Sequence, residues 1–430
     1  MKSEAIPASF FVENRKKLIS LLEDKSLALI FANDKMPRTG DQYFSYRQNS
    51  NMYYMSGIDY PDSILALCPQ HSNAKCREIL FIEQPTQQKI IKEGCEYTQK
   101  NIRDISGVQT VLFLSDFENI LRELMYYSDN VYADIQQDIK FAPNVKPQGF
   151  RYINKIKSDY PLHNYCNLFP IISDMRMVKS SYELEQIKNA CDITEKTFKR
   201  LINFIKPNVW EYEIEAEIVH EFIRNQSVCA FHPIVASGVN ACTLHYNKNN
   251  SLCKDGDLLL LDFGAEYGNY ASDLSRTVPI NGRFTERQKQ IYDACFRVYE
   301  YAKTLFIPSM SINKIHKKIF PLMQEELIKL GLFSYEDLEK QSSEYELMKK
   351  YFMHKISHFI GLDVHDVGTA DTVFETGMIL SCEPAIYIPQ EKIGVRIETM
   401  MIVSAQPVDL MKGIAASSQE IEEIMINYKK

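Results

Sequence analysis

Short apolar runs separated by polar stretches characterise the first 170 residues. An amphipathic helical pattern over residues 10–24 precedes a strand-like run at Ala28–Phe31. Four further apolar runs follow, at Ile64–Leu67, Ile79–Ile82, Val111–Leu114 and Val131–Ala133. Strand-like runs that alternate with partly helical segments are typical of an α/β layer structure. The pattern therefore predicts an N-terminal α/β domain.

The pattern changes near residue 175. Over residues 145–172 the strand signal lapses, and the segment contains the breakers Pro147, Pro161 and Pro170. Ser180-Ser181-Tyr182-Glu183 then forms a capping box that opens a long helical stripe. Further stripes follow Pro207 and a second capping box at Thr285. We therefore predict an N-terminal α/β domain over residues 1–174 and an α+β domain over residues 175–430.

Two aspartates follow the most apolar run of the chain. The run Leu258–Leu261 ends at Asp262, and a second extended run from Tyr270 contains Asp273. A turn through residues 267–268 would place the two acids opposite each other, whereas a turn through residues 268–269 would make them diagonal neighbours. In both registers they share one face of the hairpin. Two carboxylates on one face repel and are costly to bury, so this pair predicts either a bound cation or a solvated hairpin.

Three of the nine histidines, His354, His358 and His365, lie within twelve positions. The spacing is not H-E-x-x-H, because Lys355 follows His354, and this excludes a zincin. A lone histidine is more often a hydrogen-bonded core residue than a ligand, but clustering favours a metal site.

Two glutamates follow at the ends of apolar strands. Glu383 precedes Pro384, which cannot donate to a ladder, and Glu398 lies in the apolar run that begins at Gly394. Together with the two aspartates and a histidine they form a hard, oxygen-rich donor set. Such a set favours two Mn²⁺ ions, with Co²⁺ or Zn²⁺ as alternatives. The residues predict a two-metal hydrolase and do not define its substrate.

Composition narrows the class of protein. The formal charge of −7 argues against a nucleic-acid partner, and no run reaches the roughly 18 apolar residues that a membrane helix needs. The first 17 residues lack the apolar core of a signal peptide. Ten cysteines without C-x-x-C spacing are typical of reduced thiols. We therefore expect a cytoplasmic protein.

These motifs resemble those of the pita-bread metallopeptidases, which include aminopeptidase P, prolidase and methionine aminopeptidase. The resemblance covers essentially the whole chain and implies a pita-bread catalytic domain after the N-terminal domain. It also implies five metal ligands in order, Asp262, Asp273, His358, Glu383 and Glu398. In this family a hydroxide that bridges the two metals attacks the scissile carbonyl. The resemblance assigns Asp273 and Glu398 to both metals and gives Glu383 the proton-shuttle role.

The resemblance also implies substrate-binding residues. His245, which follows Gly238-Val239-Asn240-Ala241-Cys242-Thr243-Leu244, matches a histidine that faces the substrate, and His365 matches one near the scissile bond. His354 and Arg396 correspond to contacts on the proline side, and Tyr387 is expected to line the site. Each of these side chains could instead support the ligands or pack in the core.

The N-terminal part carries its own resemblance. Tyr46-Arg47-Gln48-Asn49-Ser50 and the aromatic residues up to Tyr54 are similar to the N-domain of aminopeptidase P, although composition alone favours simple packing. In that family neighbouring subunits complete each other's sites, so the resemblance implies a homodimer or homotetramer. Departures from the family pattern are Lys355 in place of a glycine, Ser381-Cys382, Ala385 and a short connection from Tyr387 to Gly394.

The resemblance implies an Xaa-Pro aminopeptidase that acts on proline-containing peptides. Prolidase is the nearest alternative, because it uses the same metals on Xaa-Pro dipeptides. A metal-free peptide-binding module of the same fold is disfavoured, because such proteins typically lose ligands and all five are present here. The nearby arginines Arg276, Arg283 and Arg396 are too few to pair with four buried acids.

Overall fold

The computed structural model describes residues 6–94, 97–135, 145–343 and 345–427. Within these ranges the chain forms two compact units, one spanning Ile6–Arg176 and the other beginning at Met177. Each unit is built around its own apolar core. No helix in the described ranges is long and apolar enough to cross a membrane.

The first unit contains a mixed six-stranded sheet among its described residues, in the order β6-β5-β4-β1-β7-β8. The strands are β1 Ser26–Phe31, β2 Pro37–Thr39, β3 Gln42–Tyr43, β4 Ser63–Leu67, β5 Glu78–Ile82, β6 Thr110–Phe113, β7 Asn130–Ala133 and β8 Asn164–Asn167. The helices are α1 Ala8–Leu21, α2 Ser50–Ser56, α3 Gln87–Glu93, α4 Gln99–Ser106, α5 Phe117–Tyr126, α6 Gln148–Asp159 and α7 Phe169–Met177.

The predicted apolar strands are confirmed, and residues 145–172, where the apolar strand signal lapses, form two helical segments and one polar strand. That segment forms α6, β8 and the start of α7. Strand β8 has the sequence Asn-Tyr-Cys-Asn and pairs only with β7, at the edge of the sheet in the described chain. It contains no apolar run from which a strand could be predicted. Pro147 and Pro170 lie at the N-terminal ends of α6 and α7, where a missing N–H costs nothing.

The aromatic stretch after residue 42 divides into two parts. Tyr43 and Phe44 are exposed in the described chain, whereas every residue of α2 is buried. The Asn49 side chain caps α2 by accepting hydrogen bonds from two backbone N–H groups, and Gly57 ends the helix in the left-handed conformation. The second part is thus the packed aromatic segment that composition favours.

The second unit begins with long helices and continues with antiparallel strands. Its strands are β9 Val228–Cys229, β10 Ile234–Ser237, β11 Leu258–Phe263, β12 Ala265–Tyr267, β13 Tyr270–Ala271, β14 Leu274–Pro279, β15 Ile379–Cys382, β16 Ala385–Ile388, β17 Ile393–Arg396, β18 Thr399–Ile402 and β19 Val408–Asp409. Its helices are α8 Ser181–Phe204, α9 Glu211–Arg224, α10 Glu286–Lys303, α11 Ile312–Lys329, α12 Tyr335–Glu339, α13 Glu346–Lys349 and α14 Ser418–Asn427. Both predicted capping boxes are present, at the starts of α8 and α10.

Two long hairpins carry the predicted acids, and we call them the first arm (residues 258–279) and the second arm (residues 379–402). In the first arm Phe263 lies opposite Leu274 and Tyr267 opposite Tyr270, so one register runs its whole length. The turn is residues 268–269, both at positive φ, as a tight hairpin turn requires. Of the two registers considered, the structure therefore has the one in which the two aspartates are diagonal neighbours.

The second arm also keeps one register across an interruption. Cys382 lies opposite Thr399 and Ala385 opposite Arg396, so the two residues between them on each strand face each other. This register places Glu383 opposite the glutamate of the returning strand. The ladder stops beside Pro384, as its missing N–H predicts. The apolar run that begins at Gly394 is correspondingly divided between β17 and β18.

Gly264 lies where the first arm is tightest. A Cβ atom at this position would lie 1.7 Å from the carbonyl oxygen of Ser272, so no side chain fits without moving the backbone. We expect Gly264→Ala to lower the free energy of unfolding by about 4 kcal/mol or to prevent folding. Chemical denaturation measures the effect. Gly331→Ala is the control, because its Cβ would meet open space and its positive φ costs only about 1–2 kcal/mol. Equal losses in both variants would contradict the steric argument.

Candidate metal centre and active site

His358 lies at the centre of the predicted ligand set. Its Nε2 atom is 3.4 Å from Asp273 Oδ2, 3.6 Å from Glu383 Oε1 and 4.0 Å from Glu398 Oε1. One ligand atom from each of His358, Asp273 and Glu398 lies within 4.8 Å of the others. Asp262 shares a face of the first arm with Asp273. The structure thus gathers the five side chains at one place.

Backbone pairing fixes the orientation of His358. The segment that carries it runs beside β15, where Ser381 N–H donates to the His358 carbonyl at 2.8 Å and Glu383 N–H donates to the Ile356 carbonyl at 2.9 Å. The Nδ1 atom of the ring is 3.1 Å from the Phe359 carbonyl. That contact favours the tautomer with the proton on Nδ1, which leaves Nε2 available to bind a metal.

Burial and mutual charge interactions shift the pKa values of several residues in the cluster. Burial, offset in part by the hydrogen bond from His358 and reinforced by the charge of Asp262, raises the pKa of Asp273 to about 7. Burial and the charges of the neighbouring acids hold the pKa of Glu398 well above its usual range. Burial acts against the charged form of His358, but the hydrogen bond with Asp273 and the charge of Glu383 outweigh it and raise the pKa of His358 to about 9.

Arg396 is the basic partner that reaches this cluster. Its guanidinium donates to Asp262 Oδ2 at 2.5 Å, to the Ser275 hydroxyl at 2.8 Å and to the Tyr387 hydroxyl at 2.7 Å. Arg276 is buried but donates to backbone carbonyls, including that of Glu398, and Arg283 is exposed. Of the three arginines, only Arg396 pairs with one of the predicted ligands among the described contacts.

Three carboxylate oxygens in the cluster are buried and have no hydrogen-bond partner among the described residues. They are Asp262 Oδ1, Asp273 Oδ1 and Glu398 Oε1. Unpaired buried oxygens of ionisable groups cost free energy, and a divalent cation is a partner that removes this cost. The donor set of carboxylates and one imidazole is of the kind that Mn²⁺ and similar ions bind. The residues present therefore fit a metal centre.

His354 and Tyr387 adjoin the ligands. His354 Nε2 is 3.0 Å from the Tyr387 hydroxyl, and His354 Nδ1 is 3.7 Å from Glu383 Oε2. Burial lowers the pKa of His354, so the ring is neutral near pH 7. Tyr387 is fully buried between His354 and Arg396. The three side chains form one hydrogen-bonded row beside the acid cluster.

His365 and His245 are both exposed. The His365 ring packs against that of His358, with centroids 4.4 Å apart and planes at 75°. In the described chain no hydrogen bond or ion pair joins His245 to the acid cluster. Its loop nevertheless packs on the second arm, because a Cβ atom at Gly394 would lie 2.4 Å from the Ala241 carbonyl oxygen. Gly394 is the ladder partner of Tyr387.

Glu211 is a site-supporting residue that the sequence reasoning missed. It is fully buried, and its Oε1 atom accepts hydrogen bonds from the backbone and hydroxyl of Ser237 and from the Asn240 amide. Its Oε2 atom accepts from the Tyr246 hydroxyl and from Ser251 N–H. These five bonds brace both ends of the loop that carries His245. The signal in the sequence that could have indicated Glu211 was its position at the start of α9, where a carboxylate can accept hydrogen bonds from nearby loops.

Two further residues hold a predicted ligand or the neighbour of a predicted substrate-binding residue. The Ser275 hydroxyl donates to Glu398 Oε2 at 2.8 Å, and alternation along the strand could have found it, because it shares the face of Asp273. Lys179 Nζ lies 3.0 Å from Asp366 Oδ2, and both side chains are buried. This ion pair anchors the residue that follows His365. No sequence signal linked Lys179 to a residue so distant in the chain.

Comparisons with known proteins decide the family. The model of metallopeptidase family M24 matches residues 185–405, and the model of the aminopeptidase P N-terminal domain matches residues 11–132. The chain is 31% identical to the Xaa-Pro aminopeptidase of Escherichia coli, over 98% of both chains. The chain belongs to metallopeptidase family M24. It is therefore a metalloenzyme of the exopeptidase type, and the predicted resemblance is confirmed.

Solved structures of M24 proteins confirm the fold. Aminopeptidase PepP from Pseudomonas aeruginosa matches with a TM-score of 0.90 and 30% identity, over 99% of both chains. Two structures of E. coli aminopeptidase P match with a TM-score of 0.89 and 30% identity, over 99% of this chain and 100% of that one. One is the zinc-substituted enzyme in complex with product, and the other contains the inhibitor Pro-Leu. The predicted pita-bread catalytic domain with an N-terminal α/β domain is thus correct.

Glu211→Gln tests the bracing of the His245 loop. A glutamine has one acceptor oxygen, so it cannot serve all five donors, and we expect about 2–4 kcal/mol of lost stability together with slower peptide hydrolysis. Glu213→Gln is the matched control on the same helix, because glutamine also suits its capping-box position. A double-mutant cycle with His245→Ala measures the coupling. Additive losses of kcat/KM would contradict a positioning role for Glu211.

The metal-free M24 enzyme should lose stability as pH rises. The folded-state pKa values of Asp273 and His358 both lie above the unfolded values of ~3.9 and ~6.5, so the folded protein binds more protons. The contribution of Asp273 is lost as pH rises from ~3.9 through about 7, and that of His358 from ~6.5 through about 9. Thermal unfolding in a chelator should give a Tm that falls between pH ~5 and ~9.

Asp273→Asn is the comparison for that pH series. The asparagine does not ionise near neutral pH and offers His358 no charge, so the slope of Tm against pH should flatten. Bound metal should also weaken the slope, because ligands bind in their deprotonated forms. A metal-free Tm that rises over the same pH range contradicts the pKa directions assigned to the cluster.

Proposed function

We propose that this M24 enzyme is an Xaa-Pro aminopeptidase, which releases the N-terminal residue of peptides whose second residue is proline. The main observation behind this proposal is that four carboxylates and one imidazole converge, and that three of the carboxylate oxygens are buried without a hydrogen bond among the described residues. Similarity over nearly the full length to an Xaa-Pro aminopeptidase supports the choice of substrate class. Two divalent ions are proposed, with Mn²⁺ preferred and Co²⁺ or Zn²⁺ as alternatives.

Five residues would hold the two metal ions, Asp262, Asp273, His358, Glu383 and Glu398. By the resemblance to the pita-bread metallopeptidases, Asp273 and Glu398 would serve both ions, and they are the most buried of the four acids. When bound, two such ions lower the pKa of water and polarise a carbonyl group. The remaining chemistry belongs to the side chains around them.

Glu383 is assigned to move the proton. Hydrolysis adds water across the C–N bond, so a proton must travel from the attacking water to the departing proline nitrogen. The Ser381 hydroxyl donates a hydrogen bond to Glu383 Oε1 at 3.3 Å and accepts one from the backbone N–H of His358 at 2.9 Å. Ser381 therefore holds the carboxylate beside His358, where it can accept a proton and return it.

The row of His354, Tyr387 and Arg396 suits a proline-containing bond. An Xaa-Pro amide has no N–H and a fixed φ, so a site that depends on that donor handles it poorly. This row offers a neutral imidazole, a hydroxyl and a guanidinium next to Glu383 and requires no donor from the substrate amide. The family resemblance assigns His245 and His365 to the substrate side, and both side chains are exposed.

Comparison of Xaa-Pro with Xaa-Pro-Xaa substrates tests the proposal. With added Mn²⁺ we expect the purified enzyme to release the first residue of the tripeptide, and metal analysis to give two equivalents. Glu383→Gln should bind metal more weakly and lose at least ~100-fold in kcat, because general acid–base catalysis contributes about 10²–10⁴-fold. Peptides of the same length without proline are the substrate control.

The same assay separates the alternatives. Cleavage of the dipeptide with no cleavage of the tripeptide indicates a prolidase, and less than one equivalent of metal indicates a peptide-binding module. The Lys355 side chain is exposed beside His354 and makes no hydrogen bond or ion pair among the described residues, so it is the side chain that could bind a terminal carboxylate. Lys355→Gly should leave tripeptide cleavage unchanged if the enzyme is an aminopeptidase.

The cytoplasmic location and the assembly into a homodimer or homotetramer stay predictions.

A further inference from the structure

A second group of metal-capable side chains lies in the unit formed by residues 6–176. His71, Cys76 and Glu123 each present one ligand atom, and these three atoms lie within 4.8 Å of one another. His71 and Cys76 belong to the connection between β4 and β5, where Ala74–Cys76 forms a 3₁₀ turn, and Glu123 lies on α5. The set includes a thiol, which the metallopeptidase centre does not.

Burial makes this group more than a surface ion pair. His71 is 1% exposed and Cys76 is 8% exposed. The His71 Nε2 atom is buried and makes no hydrogen bond, although Glu123 Oε1 is 3.3 Å away. A buried ring nitrogen without a hydrogen bond is uncommon in native proteins. The Glu123 side chain is 47% exposed, so the group opens to solvent on that side and an ion can enter.

The turn holds the His71 ring at its Nδ1 atom and leaves Nε2 facing the other two ligands. The His71 Nδ1 atom is 3.3 Å from the carbonyl oxygen of Asn73 and 3.1 Å from the N–H of the same residue. Because Asn73 N–H donates to Nδ1, the metal-free ring carries its proton on Nε2, on the side of Glu123. Metal binding at Nε2 moves that proton to Nδ1, where the Asn73 carbonyl can accept it. A metal-binding histidine commonly donates its other ring N–H to a backbone carbonyl in this way.

We propose that His71, Cys76 and Glu123 bind one Zn²⁺ ion, with water in the fourth position. A thiolate selects Zn²⁺ over Mn²⁺, whereas the oxygen-rich centre of the other unit suits Mn²⁺, so the two sites would take different metals. On binding, the S–H proton of Cys76 leaves to solvent as the zinc–sulfur bond forms. Burial and the charge of Glu123 raise the pKa of Cys76, so without metal its thiol stays protonated.

Cobalt substitution tests this site without relying on catalysis. Protein stripped with a chelator is titrated with Co²⁺, and a thiolate ligand gives a near-ultraviolet charge-transfer absorption that a site of carboxylates and imidazole does not give. We expect this band in the wild type, its displacement by one equivalent of Zn²⁺ and its loss in Cys76→Ser. Cys166→Ser is the control, because Cys166 is a free cysteine of the same unit outside the group. An Asp273→Asn, Glu398→Gln double variant should keep the band.

A milder pair of variants guards against misfolding. Glu123→Gln removes a partly exposed ligand and should weaken Zn²⁺ binding about 10-fold or more. Glu118→Gln on the same helix, which breaks only a surface contact with Lys155, should not. Absence of the band in the wild type, its retention in Cys76→Ser, or equal zinc affinities in the two glutamine variants would overturn the proposal. The group would then be an ion pair of His71 with Glu123 beside a packed thiol.

Discussion

Repulsion among four carboxylates with little access to water is the interaction that governs the catalytic unit. Burial and the charges of neighbouring acids raise the pKa of the two more buried acids, Asp273 and Glu398. Among the described contacts, only the Asp262 carboxylate accepts a hydrogen bond from a guanidinium. The cost is sustained because backbone pairing on both sides of a short break holds each arm in one register, and apolar side chains pack on the other faces. Metal binding would turn this electrostatic cost into affinity, since the protein has already assembled the ligands.

Register is the means by which the arms hold the acids. In the first arm the ladder makes Asp262 and Asp273 diagonal neighbours, and in the second it sets Glu383 opposite Glu398. Each arm is interrupted beside its ligands, at Gly264 and at Pro384. At these interruptions the backbone is released from the ladder and can be used elsewhere, as when Glu398 N–H donates to the Ser275 carbonyl. His358 then joins from a segment that pairs with β15.

The sequence reveals those features whose signal is local. The apolar strands, the capping boxes at Ser180 and Thr285 and the strand break at Pro384 each depend on neighbouring residues, and the structure has all of them. Polar edge strand β8 was missed because its stability comes from β7. Glu211 and Lys179 were missed because their partners lie far along the chain, and burial of a charged group cannot be seen in composition. The resemblance supplied what spacing alone could not, namely the class of peptidase.

The unbroken registers bear on how this enzyme can diverge. Both arms turn back beyond their acids, at residues 268–269 and 389–392. Segments inserted at these tips would lengthen the arms and leave the ladders, and with them the ligands, where they are. A one-residue insertion within the strand that carries Asp262 would instead shift its register and turn the carboxylate to the opposite face. The hairpin tips are therefore the parts of the arms whose length can change while the acids keep their positions.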